Sequence, residues 1–224
     1  MKIHPAFLAV ALLSPAQASA LDVAAPAQPL AAKVERMADL VDKAMPMGVI
    51  FEAAMKSDPA WPMQANPAAL DATQLACLRG ELGQEGTRRN KRAEVEAYVA
   101  GHAKQVDGEI ELMEAGAADM MNRFMLAGAQ GGSSQPQPDV NAIISASTPE
   151  QALSFIRFIT APEFADLRKL AGIGDVFDPA NSAEQSEKDG ERLGVSLGST
   201  AILKAFGPCK IPMSALLAPG HEES

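Results

Sequence analysis

Apolar side chains recurring by threes and fours constrain this chain more than any other feature of its sequence. Leu30, Val34, Met37, Val41 and Ala44 follow one another in such steps, which places them in one stripe on a helix of about 3.6 residues per turn. Pro46 and Gly48 interrupt the pattern. Ile50, Phe51 and Met55 resume it between Met47 and Lys56, and the Pro59, Trp61, Pro62 loop ends it. Asn66 and Pro67 pair a cap residue with a first-turn residue. The helix expected after them carries Leu75, Leu78 and Leu82 on one side, with Cys77 near the edge of that face. The longest expected helix runs from about Arg88 to Ala127. Val95, Val99, His102, Val106, Ile110, Met113, Ala117, Met120 and Phe124 form its stripe, and a straight rod of that length would extend about 60 Å. Gly101, Gly108 and Gly116 weaken it, so a kink or break near Gly108 is expected.

Further along, Thr148, Pro149 and Gln151 read as a capping-box start. Leu153, Phe155, Ile156, Phe158 and Ile159 make that helix apolar most of the way round, which predicts the most buried helix of the fold. Thr160 with Pro162 and Glu163 opens another capped segment bearing Phe164, Leu167 and Leu170, and Gly172 supplies its stop. A last helix is expected after Asp178 and Pro179. In it Gly190, Gly194 and Gly198 recur every four residues, a spacing that would let a neighbouring backbone approach closely. Gly128 to Pro138 is glycine, serine, glutamine and proline with almost nothing to bury, the composition of a flexible linker.

No stretch shows sustained strand alternation, so the expected fold class is all-α: a multi-helix bundle with a Gly/Ser/Pro/Gln-rich linker in its middle. The organisation expected is a signal peptide at 1–20, an N-terminal helical part at 21–127 and a linker at 128–139. A C-terminal helical part at 140–212, packed on the first, and a tail at 213–224 complete it. At 47% hydrophobic and 21% charged the chain can bury a core, which excludes wholesale disorder. The balance of 19 Lys and Arg against 28 Asp and Glu argues against nucleic acid as a partner. No apolar run approaches the length of a membrane-spanning helix.

The first twenty residues have the three parts of a secretory signal: Lys2, the apolar stretch Ala6 to Leu13, and the small residues Ala18, Ser19 and Ala20. Cleavage is expected after Ala20, delivering a periplasmic protein with no stable membrane anchor. In such an oxidising compartment Cys77 and Cys209, the only two cysteines, are expected to pair. The bond would close a loop of roughly 130 residues, for which chain entropy alone gives about 5 kcal/mol.

Leu153, Ser154, Phe155, Ile156, Arg157, Phe158, Ile159, Thr160, Ala161, Pro162, Glu163 and Phe164 form an apolar helix, a small residue with proline, and a second short helix. This stretch, within residues 149–172, resembles the helix-break-helix signature of domain of unknown function family 2059. The resemblance implies a bacterial exported helical protein of unassigned activity, and no functional residues follow from it.

Few motifs carry chemistry. Gly194, Val195, Ser196, Leu197 and Gly198 match G-x-S-x-G, in which a strand-to-helix turn exposes a nucleophilic serine. What precedes it here is a charged helical run. No acid lies between Ser196 and Glu222, and the only later histidine is His221, so glycine-mediated packing is the stronger reading. Methionine is abundant, with 11 in total. Met45 and Met47 flank a proline, while Met113, Met120, Met121 and Met125 cluster on the long helix. Thioethers suit Cu(I) or promiscuous apolar recognition, but core packing is the first expectation. Arg88, Arg89, Lys91 and Arg92 form one basic cluster, which local pairs such as Arg92 with Glu96 can neutralise. Basic charge at a helix start opposes the macrodipole, so that helix is expected to begin upstream of Arg88. His102, with Tyr98 one turn earlier, reads as a core-edge histidine. Glu109, Glu111 and Glu114 have no histidine at metal-site spacing.

The function expected is non-enzymatic: a structural, binding or envelope-maintenance role toward an unknown protein or peptide partner, with no cofactor. The alternatives are a chaperone-like or copper-handling protein using Met-rich surfaces, and a serine hydrolase through Ser196. A polar pre-formed pocket would favour catalysis, whereas a continuous apolar groove lined by Met would favour recognition of extended or helical segments.

Overall fold

Residues 29–130, 140–174 and 183–216 are described by the structure, a computed structural model. The expected signal peptide with its cleavage point after Ala20, linker residues 131–139, Asp178 with Pro179, and tail residues 217–224 lie outside the described residues. The fold is all-α, and no strand occurs among the described residues.

Helix α1 (Leu30–Ala44) buries Val34, Met37, Ala38, Val41 and Ala44, the stripe that its sequence spacing marks, while Leu30 in its first turn stays exposed. Helix α2 (Met47–Ser57) follows Pro46 directly. Helix α3 (Ala72–Leu82) starts later than the Asn66–Pro67 pair suggests. That pair opens only a 3₁₀ turn, Pro67–Ala69, without a side-chain cap. The cap of α3 is Asp71, whose carboxylate accepts from the Gln74 N–H at 2.8 Å while the Gln74 side chain accepts from the Asp71 N–H. Two otherwise unpaired donors are satisfied at once, so this start wins over the earlier one.

The long expected rod is several pieces. Helix α4 (Gln84–Gly101) begins upstream of Arg88, and the carboxylate of Glu52 on α2 accepts from the Gln84 backbone N–H at 2.8 Å. A turn at His102–Gln105 separates α4 from α5 (Val106–Leu112), and a π turn at Met113–Ala117 leads into α6 (Ala118–Gln130). The breaks therefore fall at His102 and Gly116, not near Gly108. Gly108 sits inside α5 with nothing near its Cβ position, so it needs no break. At Gly116 φ is 126°, which suits glycine alone. A Cβ there would lie 2.7 Å from Gln151 Cα, so the helix that carries Gln151 rests on bare backbone. Helix α6 also runs three residues into the expected linker, to Gln130.

Helices α7 (Val140–Ser145) and α8 (Pro149–Thr160) follow, α8 starting on the Thr148 and Gln151 capping box read from the sequence. Among its residues only Phe158 is fully buried; Leu153 is 67% and Ile156 52% exposed. The expectation that α8 is the most buried helix is thus wrong. It lies on the outside of the bundle, and its apolar girdle exceeds the single face that the π turn and α6 cover. Thr160 is the last residue of α8 and not a cap. The next segment is a 3₁₀ turn, Pro162–Phe164, running into α9 (Ala165–Ala171), which Gly172 stops at φ 87°. Helix α10 (Ala183–Phe206) and a 3₁₀ turn at Met213–Leu216, with Ala215 buried, end the described chain.

Two apolar clusters result. The first unites α1, α4, α5 and α6 with Phe158, Phe164, Leu167, Ala171 and Ile173; the second unites Phe51, Met63, Leu78 and Leu82 with Ala205, Phe206, Cys209 and Ile211. Each draws on both sides of residues 131–139. Full burial of one such Val, Leu, Ile, Phe or Met side chain is worth about 1.5–3 kcal/mol. Cys77 and Cys209 form a disulfide at the second cluster, across a sequence separation of 132.

Candidate functional site

Four amphipathic faces meet around a cavity of about 700 Å³. Helix α2 contributes Met47, Ile50 and Phe51, and α6 contributes Met121, Phe124, Met125, Gly128 and Ala129. Phe155 and Ile159 come from α8, and Gly190, Leu193, Gly194, Leu197 and Gly198 from α10. Each set follows the three-and-four spacing that puts side chains on one helical face, so the lining is a direct product of the sequence periodicity. The rings of Phe124 and Phe155, both in the lining, stack on each other with centroids 5.1 Å apart. Phe51 lies 5.3 Å from the ring of Trp61, the only tryptophan in the chain.

The glycines of α10 play the opposite part to the one their spacing suggests. A Cβ built on Gly190, Gly194 or Gly198 meets nothing within 4 Å. Among the described residues no backbone approaches them, because Leu193 and Leu197 stand on the same face and reach the first apolar cluster as spacers. The row leaves open volume beside α10.

A second, polar depression of about 570 Å³ is lined by Lys104, Gln105, Glu109, Glu111, Ser154, Arg157 and Glu163, among others. Arg157 contacts Glu163 at 3.4 Å and lies over the Phe164 ring. Glu109 is 2% exposed, and Tyr98 donates its hydroxyl to Glu109 Oε1 at 2.7 Å. Glu109 Oε2 is buried with no hydrogen-bond partner among the described residues. Burial pushes the Glu109 carboxyl above its ordinary range and, with the Tyr98 hydroxyl and nearby His102 opposing, wins. The Tyr98 hydroxyl is likewise pushed up, by burial first and by Glu109 second. His102 stacks on the Tyr98 ring, and its Nδ1 lies 2.9 Å from the Tyr98 carbonyl, which can only accept. Nε2 faces Asp166 at 3.6 Å. This network ties α4, α5 and α9 together.

Other residues singled out by sequence fall as follows. Ser196 is exposed in the middle of α10, where no strand-to-helix turn exists, and His221 lies outside the described residues. Met113, Met120 and Met121 are buried in the core, as expected; Met121 also lines the apolar cavity, together with the partly buried Met125 and Met47. The basic cluster is fully engaged: Arg88 with Asp39, Arg89 with Glu81 at 2.6 Å, Lys91 with Glu94 at 2.7 Å and Arg92 with Glu35 at 2.6 Å. Glu96, the local partner expected for Arg92, is farther away at 3.6 Å. Most of these bonds cross between helices, which spacing along one helix cannot reveal. Among the described residues no group of three or more His, Cys, Asp and Glu could hold a metal ion, and no helix is long and apolar enough to cross a membrane. No family model, no curated protein and no solved structure matches this chain.

Proposed function

We propose that this protein is a non-enzymatic binding protein of an oxidising, extracytoplasmic compartment, and that it takes apolar ligands into the cavity between α2, α6, α8 and α10. The observation that carries the reading is the lining itself: Met, Phe, Ile, Leu, Ala and Gly, with no charged side chain among the described residues, around about 700 Å³. That volume falls within the range of small-molecule sites, roughly 300–1,000 Å³. Methionine and glycine suit adaptable apolar recognition, because the thioether is flexible and polarizable. The Cys77–Cys209 disulfide supports the compartment, since such bonds persist outside the reducing cytosol. The leader at residues 1–20 supports export to the periplasm.

Titration of the purified protein with N-phenyl-1-naphthylamine tests the reading. Saturable enhancement of the dye, with a matching change in Trp61 emission, is expected. Absence of saturable binding would remove it. Three thioethers in one cavity, those of Met47, Met121 and Met125, favour copper(I) capture as a second reading. Stoichiometric copper(I) uptake in the presence of ascorbate, lost in Met121→Leu, is what that reading requires.

A further inference from the structure

We propose that the ligand of this cavity is a single unbranched alkyl chain, as carried by single-chain lipids, and that the glycine row of α10 sets the width available to it. The inference rests on the reading of the cavity as an apolar-ligand site. Three kinds of occupant suit an apolar cavity, and size and polarity separate them. An extended peptide brings one N–H and one C=O per residue, which need partners when buried. The lining side chains offer none. A helix satisfies its own backbone but is about 10–12 Å across, so each turn fills roughly 500 Å³. The cavity of about 700 Å³ would hold little more than one turn, whereas helix-in-groove recognition uses anchors spread over two. An alkyl chain has neither problem. At roughly 30 Å³ per methylene, the volume a liquid water occupies, a chain of about sixteen carbons needs roughly 480 Å³.

The glycines make that room. Open space stands where the Cβ atoms of Gly190, Gly194 and Gly198 would be, and a leucine at Gly194 would extend four carbons into it. The same change replaces a poor helix former by a good one. Occlusion of the cavity and stability of the fold are thereby uncoupled.

The test displaces N-phenyl-1-naphthylamine with saturated fatty acids of eight to eighteen carbons, kept below their micellar concentrations. Affinity is expected to rise about fourfold per methylene, equivalent to about 0.8 kcal/mol, through the whole series, because eighteen carbons at roughly 30 Å³ each need roughly 540 Å³, less than the cavity of about 700 Å³. Gly194→Leu is expected to weaken the sixteen-carbon acid at least tenfold with an unchanged or raised melting temperature. Gly190→Leu, at one end of the row, repeats the test if the first variant does not fold. Lysophosphatidylcholine with the same chain separates a free acid from a lipid as source. Equal competition by both is expected, because no charged side chain among the described residues lines the cavity. Four results would each overturn the inference while leaving apolar binding standing: no competition by the acids despite dye binding, equal competition by an amphipathic helical peptide, a tenfold head-group preference, or full affinity in a folded Gly194→Leu. Absence of dye binding removes both.

Discussion

Glu109 is the side chain whose surroundings depart furthest from what its chemistry prefers. Its carboxyl is buried, one oxygen is bonded to Tyr98 and the other has no partner among the described residues. Burial therefore holds its proton more tightly in the folded protein than in the unfolded chain. The sign of the linkage follows. The stabilising contribution is complete below the unfolded carboxylate pKa, about 4.3, and is lost as pH rises through the raised folded value. Glu109→Gln keeps the acceptor for Tyr98 and cannot ionise. Its stability relative to the parent is expected to improve as pH rises above the unfolded carboxylate pKa and to level off once pH passes the raised folded value, as read by urea denaturation across pH, and parallel curves for the two proteins would count against a buried proton. None of this was legible in the sequence, where Glu109 stood as one of three neighbouring carboxylates. Its partner Tyr98 is on another helix, and only the fold brings them together.

At the scale of elements, caps are read well where they adjoin a strong local signal and poorly where they compete with one. Thr148 and Gln151 stand either side of Pro149 and α8 begins there; Asp71 and Gln74 are masked in the sequence by Asn66 and Pro67, which offer an earlier start. Both boxes have the same reciprocal geometry. Asp71→Ala and Thr148→Ala are each expected to lower stability by about 1 kcal/mol, and equilibrium denaturation of the two variants measures it. The long stripe from Val95 to Phe124 hid its breaks for a different reason. Val99 and Val106 are seven residues apart and both fully buried, so the apolar phase carries straight across the turn at His102–Gln105. Periodicity reports which residues face the core, and a break that preserves the phase leaves no trace in it. The expected close approach at the α10 glycines failed because spacing alone does not say whether a glycine is covered or left open.

For the molecule as a whole, the all-α class and the cysteine pairing were both readable, one from periodicity and one from there being only two thiols. The packing of the two apolar clusters was not, since each joins segments more than a hundred residues apart. Cys77 on α3 and Cys209, just past α10, link such segments covalently at the second cluster. Replacing both with serine is expected to cost about 2–5 kcal/mol. For a chain of this size that corresponds to a melting temperature lower by about 5–15 °C, to be read by circular dichroism. A loss of under about 1 kcal/mol would mean that the unfolded chain is already held together in that region.

The bond also gives α10 two unlike ends. Near Phe206 the helix is buried and moored through Cys209, while between Gly190 and Gly198 it packs on the first cluster through Leu193 and Leu197 beside open space. It is built like a cantilever, with its anchored foot in the second cluster and its free span over the cavity. Amide hydrogen exchange along α10 is expected to slow progressively from Gly190 toward Ala205. Filling the cavity would prop the span and flatten that gradient.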